Sequence, residues 1–420
     1  MKTAAHGKSA ANRATGWKVV PSLGRSSLAS RVLSSLLIAL VALVCNGQAA
    51  ASRTASDARA STPEPALPAI LKIFETYEVV GIQAAHAQKD VDDFILSLIR
   101  DPRFPETVND IVVECGNVRY QPILDRYIAG EDVAFTEVQH VWRDTTQAMC
   151  GESGFFEQLY PLVRAINQHL PAARRLRVVA ADPPIDWAKV QTAKDITPFF
   201  DRDGSIASVM ESEVLSKHRK ALMLFGIFHL LHRSGPGPGD AVTIYEHRYP
   251  GKTFVISTLG YYSTNGESLT DFHAGLGAWP SLLRTKNSRL GSLSLGAFLP
   301  TPVTTDSDCN VVDAVTGKSS KTVAGLLDAF LYLGPQDLQL SEAIPADIAL
   351  DHAYRSEWLR RLKVSGLPGP STNEAVDAEV IAGAADPILV TPRNPDAKEL
   401  YPMIKQACLL RKHAAPNTAP

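Results

Sequence analysis

The sequence lacks the short motifs that identify many enzymes. It has no GxGxxG fingerprint, no Walker loop, no HExxH helix and no GxSxG nucleophile elbow. The Gly/Pro-rich run SGPGPGD at residues 234–240 does not replace a phosphate-binding loop, because its prolines lack the amide N–H groups that would cradle a phosphate. Function therefore has to be sought in residues that are distant along the chain.

A charge excess of either sign is also missing. The 420 residues carry a formal net charge of −2, so the chain offers no electrostatic case for binding nucleic acid. No two cysteines have CxxC spacing, which argues against a zinc site built on cysteines. The expected partner is a small molecule.

A long hydrophobic run is absent from the N-terminal region. The apolar stretch Val32–Val44 has 13 residues, whereas a membrane span needs about 20. It follows a basic segment with no acidic residue before Asp57 and precedes small residues, so residues 1–51 are predicted to be a signal peptide with a long basic region, cleaved near residues 49–51. The alternatives are an uncleaved anchor, a transit peptide, or a lipoprotein attached through Cys45.

This interpretation places the mature chain outside the cytoplasm, secreted or periplasmic, with membrane contact only through the N-terminal segment. Residues 52–68 are then predicted to be a Ser/Ala/Pro linker, residues 69–412 a single domain, and residues 413–420 a disordered tail. An oxidising compartment permits disulfides among the four remaining cysteines in three possible pairings, and buried free thiols are the alternative. These cysteines are Cys115, Cys150, Cys309 and Cys408, of which Cys309, in a polar loop, is the one most expected to be bridged.

Apolar runs of strand length alternate with helical patterns along the domain. Because the runs are continuous rather than alternating, they are typical of strands covered on both faces. We therefore predict an α/β fold with an open, mainly parallel sheet, helices on both faces, and loop insertions near residues 261–325. The runs are YEVVGI (77–82), DIVVEC (110–115), LRVVAAD (176–182), KALMLFGIFH (220–229), TFVISTLG (253–260) and AFLYLG (329–334).

Polar residues follow the carboxyl ends of four of these strands, where open α/β sheets bind their ligands. The first strand is followed by His86, the second ends at Glu114, the third at Asp182 and the fourth at His229. Since the carboxyl ends of parallel strands meet at one edge, we expect these four residues to share a crevice. They are the candidate catalytic residues.

Each candidate also has a structural interpretation. His86 could cap the following helix, Asp182 before two prolines could be a turn residue, and His229 could be a satisfied polar end of a core strand. A carboxylate at the end of an apolar strand is costly to bury unpaired, so Glu114 is as readily explained by an ion pair with Arg143 or Arg119.

The order of these residues resembles the superfamily that joins erythromycin esterases, ChaN-like haem-binding proteins and Tiki/TraB-type proteins. In that pattern the first strand ends in Gly-Glu, a spacer and His, the second ends in Glu, and a later strand ends in a Gly-x-x-His motif. The matches here are His86, Glu114 and the GIFH segment with Gly226 and His229. The likeness covers most of residues 75–335.

One position departs from that pattern. Where the resemblance implies a Glu before the first histidine, this chain has GIQAAH, with Gln83 at the spacing of the esterase branch. Glutamine keeps the shape and hydrogen bonding of glutamate but cannot ionise, so it supports an imidazolium much less. The departure implies one of three alternatives: an enzyme with weakened activity, an enzyme that relies on Glu114 in place of the missing Glu, or a binding protein.

Two functions follow from the resemblance. In the first, the chain hydrolyses a small ester, lactone or amide, with His86 as the general base on water, Glu114 orienting or sharing the proton, and His229 stabilising the oxyanion or binding a divalent metal. In the second, it is a non-catalytic binder of haem or another small ligand, with Tyr261, Tyr262 or His229 available for the iron. A pseudoenzyme retained for a partner interaction is a third interpretation.

Overall fold

A computed structural model describes residues 62–84, 88–232, 240–259, 277–293, 322–335 and 351–367, with short pieces between 303 and 409. The predicted signal peptide and C-terminal tail lie outside these residues, as does the single site residue His86. Within the described ranges no helix is both long and apolar enough to cross a bilayer.

The described chain is built around an open eight-stranded sheet in the order β1-β7-β10-β6-β2-β5-β3-β4. The six strands from β10 to β4 are mutually parallel, while β7 runs antiparallel to β10 and β1 antiparallel to β7. The predicted α/β class with a mainly parallel sheet is confirmed. The strands are β1 Glu64–Pro65, β2 Val79–Gln83, β3 Asp110–Asn117, β4 Arg177–Asp182, β5 Ala221–Phe225, β6 Thr253–Leu259, β7 Ser281–Arg284 and β10 Ala329–Tyr332, with a separate antiparallel pair β8 Val303–Thr305 and β9 Val311–Asp313.

Helices cover both faces of this sheet and bury its apolar side chains in two layers. On β5, for example, Leu222 and Leu224 belong to one hydrophobic core, and Met223 and Phe225 to the other. Burial on both faces is why the strands read as continuous apolar runs. The helices are α1 Ala66–Ile73, α2 Lys89–Arg100, α3 Phe104–Thr107, α4 Gln121–Ala129, α5 Phe135–Arg143, α6 Gly154–Gln168, α7 Ala193–Ile196, α8 Arg202–Val209, α9 Ile227–Leu230, α10 Ala241–Glu246, α11 Arg289–Ser292 and α12 His352–Ser365.

The first core contains side chains of α2, α4, α5 and α6, and the second contains side chains of α8, α9 and α10. A disulfide between Cys115 and Cys150 joins β3 to the turn after α5. Cys309 is also disulfide-bonded. Cys408 lies outside the described residues.

The element boundaries differ from the predicted ones at several places. The strand predicted over residues 220–229 ends at Phe225, and the apolar residues after Gly226 form the helical turn α9. A buried strand and a buried helical turn are both apolar, so hydrophobic periodicity does not separate them. Strand β7 lies within the segment predicted to be an insertion, and β1 and α1 begin inside the segment predicted to be a linker.

Gly116 on β3 permits the close contact between β3 and β4. A Cβ atom there would lie 2.8 Å from both the Ala180 Cα and the Val113 Cγ2. We expect Gly116→Ala to lower the free energy of unfolding by about 1–3 kcal/mol, because the neighbouring backbone has to move. Urea denaturation measures the change.

Gly325 is the matched control, since a Cβ atom there meets nothing within 4 Å. Gly325→Ala is expected to change the stability by less than about 1 kcal/mol. Equal effects of the two substitutions would show that strand packing at Gly116 is not tight.

Candidate active site

Arg202, the first residue of α8, joins the carboxyl ends of β3 and β4. Its Nη2 donates to Glu114 Oε1 at 3.0 Å, and its Nε donates to Asp182 Oδ1 at 3.0 Å. All three side chains are nearly buried. Burial lowers the pKa of Arg202, but the two carboxylates more than offset this effect and raise it. The arginine therefore stays cationic and neutralises charge that would otherwise be costly to bury.

Glu114 extends this network to the end of β5. Its Oε2 accepts a hydrogen bond from the Gly226 backbone N–H at 2.6 Å. A Cβ atom on residue 226 would lie 3.3 Å from the same oxygen, so glycine allows the carboxylate to approach the backbone closely. The Gly-x-x-His segment thus contributes a backbone donor as well as an imidazole.

His229, on α9, lies between two carboxylates. Its Nδ1 is 2.8 Å from Asp203 Oδ1, and its Nε2 is 3.4 Å from Glu114 Oε1. Burial lowers the pKa of His229, but the hydrogen bonds to Asp203 and Glu114 outweigh it and raise the pKa to about 9. The imidazolium is therefore the main form at neutral pH.

Arg202 Nη1 lies 3.1 Å from His229 Nε2. An arginine N–H only donates, so this contact becomes a hydrogen bond when the ring is neutral and Nε2 accepts. The protonated ring instead directs its Nε2–H to Glu114. The Nε2 position has a hydrogen-bond partner in both protonation states, which suits a group that exchanges a proton.

Asp182 is held on its other side by Thr146. The backbone N–H and the hydroxyl of Thr146 donate to the two Asp182 oxygens at 2.6 Å each. Complete burial raises the pKa of Asp182, while Arg202 and Thr146 lower it in part. Asp182 holds the Arg202 guanidinium through its Nε–H. Among the described residues it forms no hydrogen bond with His229.

The structure thus brings Glu114, Asp182 and His229 into one network. Gln83 is buried nearby on β2, where its Oε1 accepts from Ser257 Oγ at 2.6 Å and from the Thr258 N–H at 3.1 Å. Its side-chain oxygen is committed to β6, so only its Nε2–H groups remain for another partner.

Glu114 does form an ion pair, but the predicted partner, Arg143 or Arg119, is wrong. Arg202 pairs with Glu114, while Arg143 lies 3.5 Å from Glu157 and Arg119 lies 3.1 Å from Asp186. Arg119 and Arg143 are closer along the chain, but sequence distance does not decide contact across a sheet.

Sequence reasoning missed Arg202 and Asp203. They begin a helix rather than end a strand, so the carboxyl-edge rule does not point to them. The available signal was the DRDGS segment, residues 201–205, where Arg202 is flanked by two aspartates just before an amphipathic helix. Asp203 Oδ1 also accepts from the Ala241 N–H at 2.9 Å, which fixes it against α10.

A small cavity of about 20 Å³ lies beside this network and is lined by Asp92 of α2, Glu114, Cys115, Ser153 and apolar side chains. Its volume is sufficient for a water molecule. Burial and the nearby Glu342 raise the pKa of Asp92 to about 9, so this carboxyl is protonated at neutral pH.

A second histidine, His232, also lies between two carboxylates, near the start of β6. His232 Nδ1 is 2.9 Å from Glu246 Oε2, and its Nε2 is 3.2 Å from Asp328 Oδ2. Burial lowers its pKa, but the two carboxylates raise it to about 9. The same carboxylates accept backbone N–H groups of Thr253 and Val255 at the start of β6. The His232 side chain is partly buried.

The described residues do not present a metal centre, since no group of three or more His, Cys, Asp or Glu among them is arranged to hold an ion. For haem, iron binds the neutral imidazole, whereas the hydrogen bonds to Asp203 and Glu114 keep His229 protonated at neutral pH, so His229 does not fit the role of an iron ligand. Tyr261 and Tyr262 lie outside the described residues.

No protein-family model matches the chain, and no curated protein matches its sequence. Among solved structures, it is similar to an erythromycin esterase mutant in its open conformation, at 11% identity and a TM-score of 0.39, over 63% of this chain and 92% of that chain. It is similar to ChaN of Campylobacter jejuni with cofacial haem, at 11% identity and a TM-score of 0.30, over 48% of this chain and 87% of that chain.

A Bacillus cereus protein is also similar, at 11% identity and a TM-score of 0.42, over 63% of this chain and 90% of that chain. The neighbours include both an esterase and a haem-binding protein, the two groups that the sequence resemblance predicted. At these identities and TM-scores the likeness assigns no activity and no residue role, so function has to be argued from the site itself.

Arg202→Met removes the shared partner of two buried carboxylates. We expect it to lower the free energy of unfolding by roughly 3–5 kcal/mol, measured by urea denaturation at pH 7. Arg119→Met is the control: its ion pair with Asp186 is partly exposed, and its loss is expected to cost less than about 1 kcal/mol. Similar small effects of both substitutions would contradict a central role for Arg202.

The pH dependence of stability follows from the raised pKa values of His229 and His232. Each ring binds its proton more tightly in the folded state, so its contribution is complete below about 6.5 and is lost as pH rises to about 9. Asp92, also raised to about 9, acts in the same direction. The free energy of unfolding, measured by urea denaturation, is expected to fall from pH 6.5 to pH 9, by on the order of 1.4 kcal/mol per pH unit for each group.

In His232→Gln the slope of that fall is expected to be smaller, because one titrating group is gone. A flat or rising profile in the unaltered protein would contradict the hydrogen bonding assigned to both histidines.

Proposed function

We propose that this protein is a hydrolase that cleaves a small ester, lactone or amide at the carboxyl edge of its sheet. The observation that carries the proposal is the Asp203–His229–Glu114 chain, with separations of 2.8 and 3.4 Å, next to the Arg202 guanidinium. An imidazole held in one orientation by hydrogen bonds, at the edge where α/β sheets bind ligands, is suited to general acid–base catalysis.

Asp203 sets the state of the ring. It accepts from Nδ1–H, so the exchangeable proton is on Nε2, the nitrogen that faces Glu114 and Arg202. The same division of labour between an aspartate and a histidine orients the base in Ser-His-Asp sites. With a pKa of about 9, His229 acts as a proton donor near neutral pH.

In the proposed reaction, water attacks the substrate carbonyl carbon, and the carbonyl oxygen becomes an oxyanion. The His229 imidazolium stabilises that charge, and Arg202 adds positive potential beside it. The tetrahedral species then collapses, the bond to the leaving group breaks, and the leaving atom takes up a proton from His229.

Removal of the proton from water is assigned to His86, as the resemblance implies, with Glu114 as the second acceptor. Gln83 cannot serve as a base, since its amide does not take up a proton and its oxygen is occupied by Ser257 and Thr258. This loss of a carboxylate beside the predicted base is expected to make the enzyme slow.

The alternative proposal is a non-catalytic binder of haem or another small ligand. Because His229 is protonated at neutral pH and iron binds the neutral imidazole, such a protein would have to ligate iron through other residues, such as Tyr261 or Tyr262. The hydrolase is preferred because it uses the hydrogen bonds that the site contains.

We also propose that the mature protein works in a secreted or periplasmic compartment. The Cys115–Cys150 disulfide and the disulfide-bonded state of Cys309 support this location, because disulfides persist in oxidising compartments.

The test uses a panel of chromogenic esters, including p-nitrophenyl acetate and butyrate. His229→Gln is expected to lower kcat/KM by about 10²- to 10³-fold, because the proton donor is lost. In the unaltered enzyme, kcat/KM is expected to fall as pH rises through about 9, where His229 loses its proton.

His232→Gln is the matched control. His232 also lies between two carboxylates and has a pKa of about 9, but it packs against the start of β6. Its substitution is expected to leave kcat/KM within a few-fold of the unaltered enzyme. Equal losses in both variants would show a structural effect, and turnover that survives His229→Gln would overturn the mechanism.

A further inference from the structure

Asp92 is a buried carboxyl that the proposed mechanism does not use. It lies in the first turn of α2 and is only 5% exposed. Within the part of the chain that the structure describes, its side chain forms no hydrogen bond. Buried polar groups without a protein partner are rare, and ordered water is a usual partner for those that exist. The Asp92 carboxyl therefore marks a place where a water molecule is expected.

The space for that water is the small cavity beside Glu114. This cavity of about 20 Å³ is lined by both Asp92 and Glu114, so it joins α2 to the carboxyl end of β3. Ser153, the N-cap of α6, adds a third polar group. Most of the remaining wall is apolar and includes Phe155 and Leu224. A space of this size accommodates one water molecule, which needs roughly two to four polar partners.

Asp92 and Glu114 have complementary roles toward a water molecule. Burial raises the pKa of Asp92 to about 9, and the charges of Glu342 and Asp93 act in the same direction, while Lys89 opposes them. Asp92 is therefore a neutral acid at pH 7, with an O–H group that is suited to donate to a water oxygen. Glu114 is an ion-paired carboxylate, so it is suited to accept a water O–H.

We propose that Asp92 and Glu114 bind the water molecule that attacks the substrate, which makes Asp92 a further catalytic residue. This inference rests on the proposed hydrolase function and names the place where its nucleophile is held. Asp92 donates to the water oxygen and Glu114 accepts one of the water hydrogens, so one lone pair of the oxygen remains for the attack. Holding the nucleophile in one orientation lowers the entropic part of the barrier.

The proton of this water has a route back to the leaving group. As the water oxygen bonds to the carbonyl carbon, one water O–H bond breaks and its proton passes to Glu114, the second acceptor named above. His229 gives its Nε2 proton to the leaving atom when the tetrahedral species collapses. Glu114 Oε1 lies 3.4 Å from that nitrogen, so the proton held by Glu114 returns to His229 and both groups are restored.

The first test measures kcat and KM for p-nitrophenyl butyrate at pH 7 in three variants. Asp92→Asn keeps a neutral donor and acceptor of the same size, so kcat is expected to stay within about threefold of the unaltered enzyme. Asp92→Leu removes both groups, and kcat is expected to fall about 10- to 100-fold while KM changes little. Asp93→Leu is the control, since Asp93 lies on the same helix but is exposed and paired with Lys89, and it is expected to keep kcat.

Two results of this test would overturn the inference while leaving the hydrolase intact. The first is full kcat in Asp92→Leu. The second is an equal loss in Asp92→Asn and Asp92→Leu, because such a result would require an ionised Asp92 rather than a neutral donor. Circular dichroism and urea denaturation check that each variant is folded.

The second test does not depend on turnover. A high-resolution crystal structure of the unaltered protein is expected to show a water molecule within hydrogen-bonding distance of both Asp92 and Glu114. The water is expected to remain in Asp92→Asn and to be lost from Asp92→Leu. A cavity without this water in the unaltered protein would contradict the inference. If the water is present but no ester in the panel is hydrolysed, the hydrolase proposal fails, and the role of the water as nucleophile fails with it.

Discussion

The site depends on one buried arginine. Arg202 connects the ends of two adjacent strands through Glu114 and Asp182, and it also touches the ring of His229. A buried carboxylate without a partner is too costly to tolerate at the end of an apolar strand. Arg202 is therefore what permits two carboxylates to lie together where the ligand crevice of an α/β sheet is expected.

That constraint links the fold to the chemistry. The parallel strands β3, β4 and β5 end at the same edge, so residues 114, 182 and 226–229 meet without any long loop between them. Helix α8 then delivers a cation and Asp203 from the sequence between β4 and β5. The charge on each group is set by its neighbours, and the raised pKa of His229 follows from the hydrogen bonds to Asp203 and Glu114.

The charges of the site are paired inside the protein, Arg202 with Glu114 and Asp182, and His229 with Asp203. Each pair avoids the cost of a buried charge without a partner. The site therefore combines an interior of matched charges with an imidazole that keeps its proton at neutral pH.

The sequence by itself determined the sheet and most of the polar residues at the carboxyl ends of its strands. Continuous apolar runs predicted β2 to β6 and β10, and the carboxyl-edge rule indicated that Glu114, Asp182 and His229 would converge, because strand direction fixes that edge. Tertiary structure decided the partners. Arg202 and Asp203 begin a helix, so no strand pattern indicated them. Glu114 pairs with Arg202 rather than with Arg119 or Arg143, which are nearer in the chain. Contacts between distant segments determine which charged side chains pair and how deeply they are buried. Hydrophobic periodicity describes only local structure, so it predicts neither.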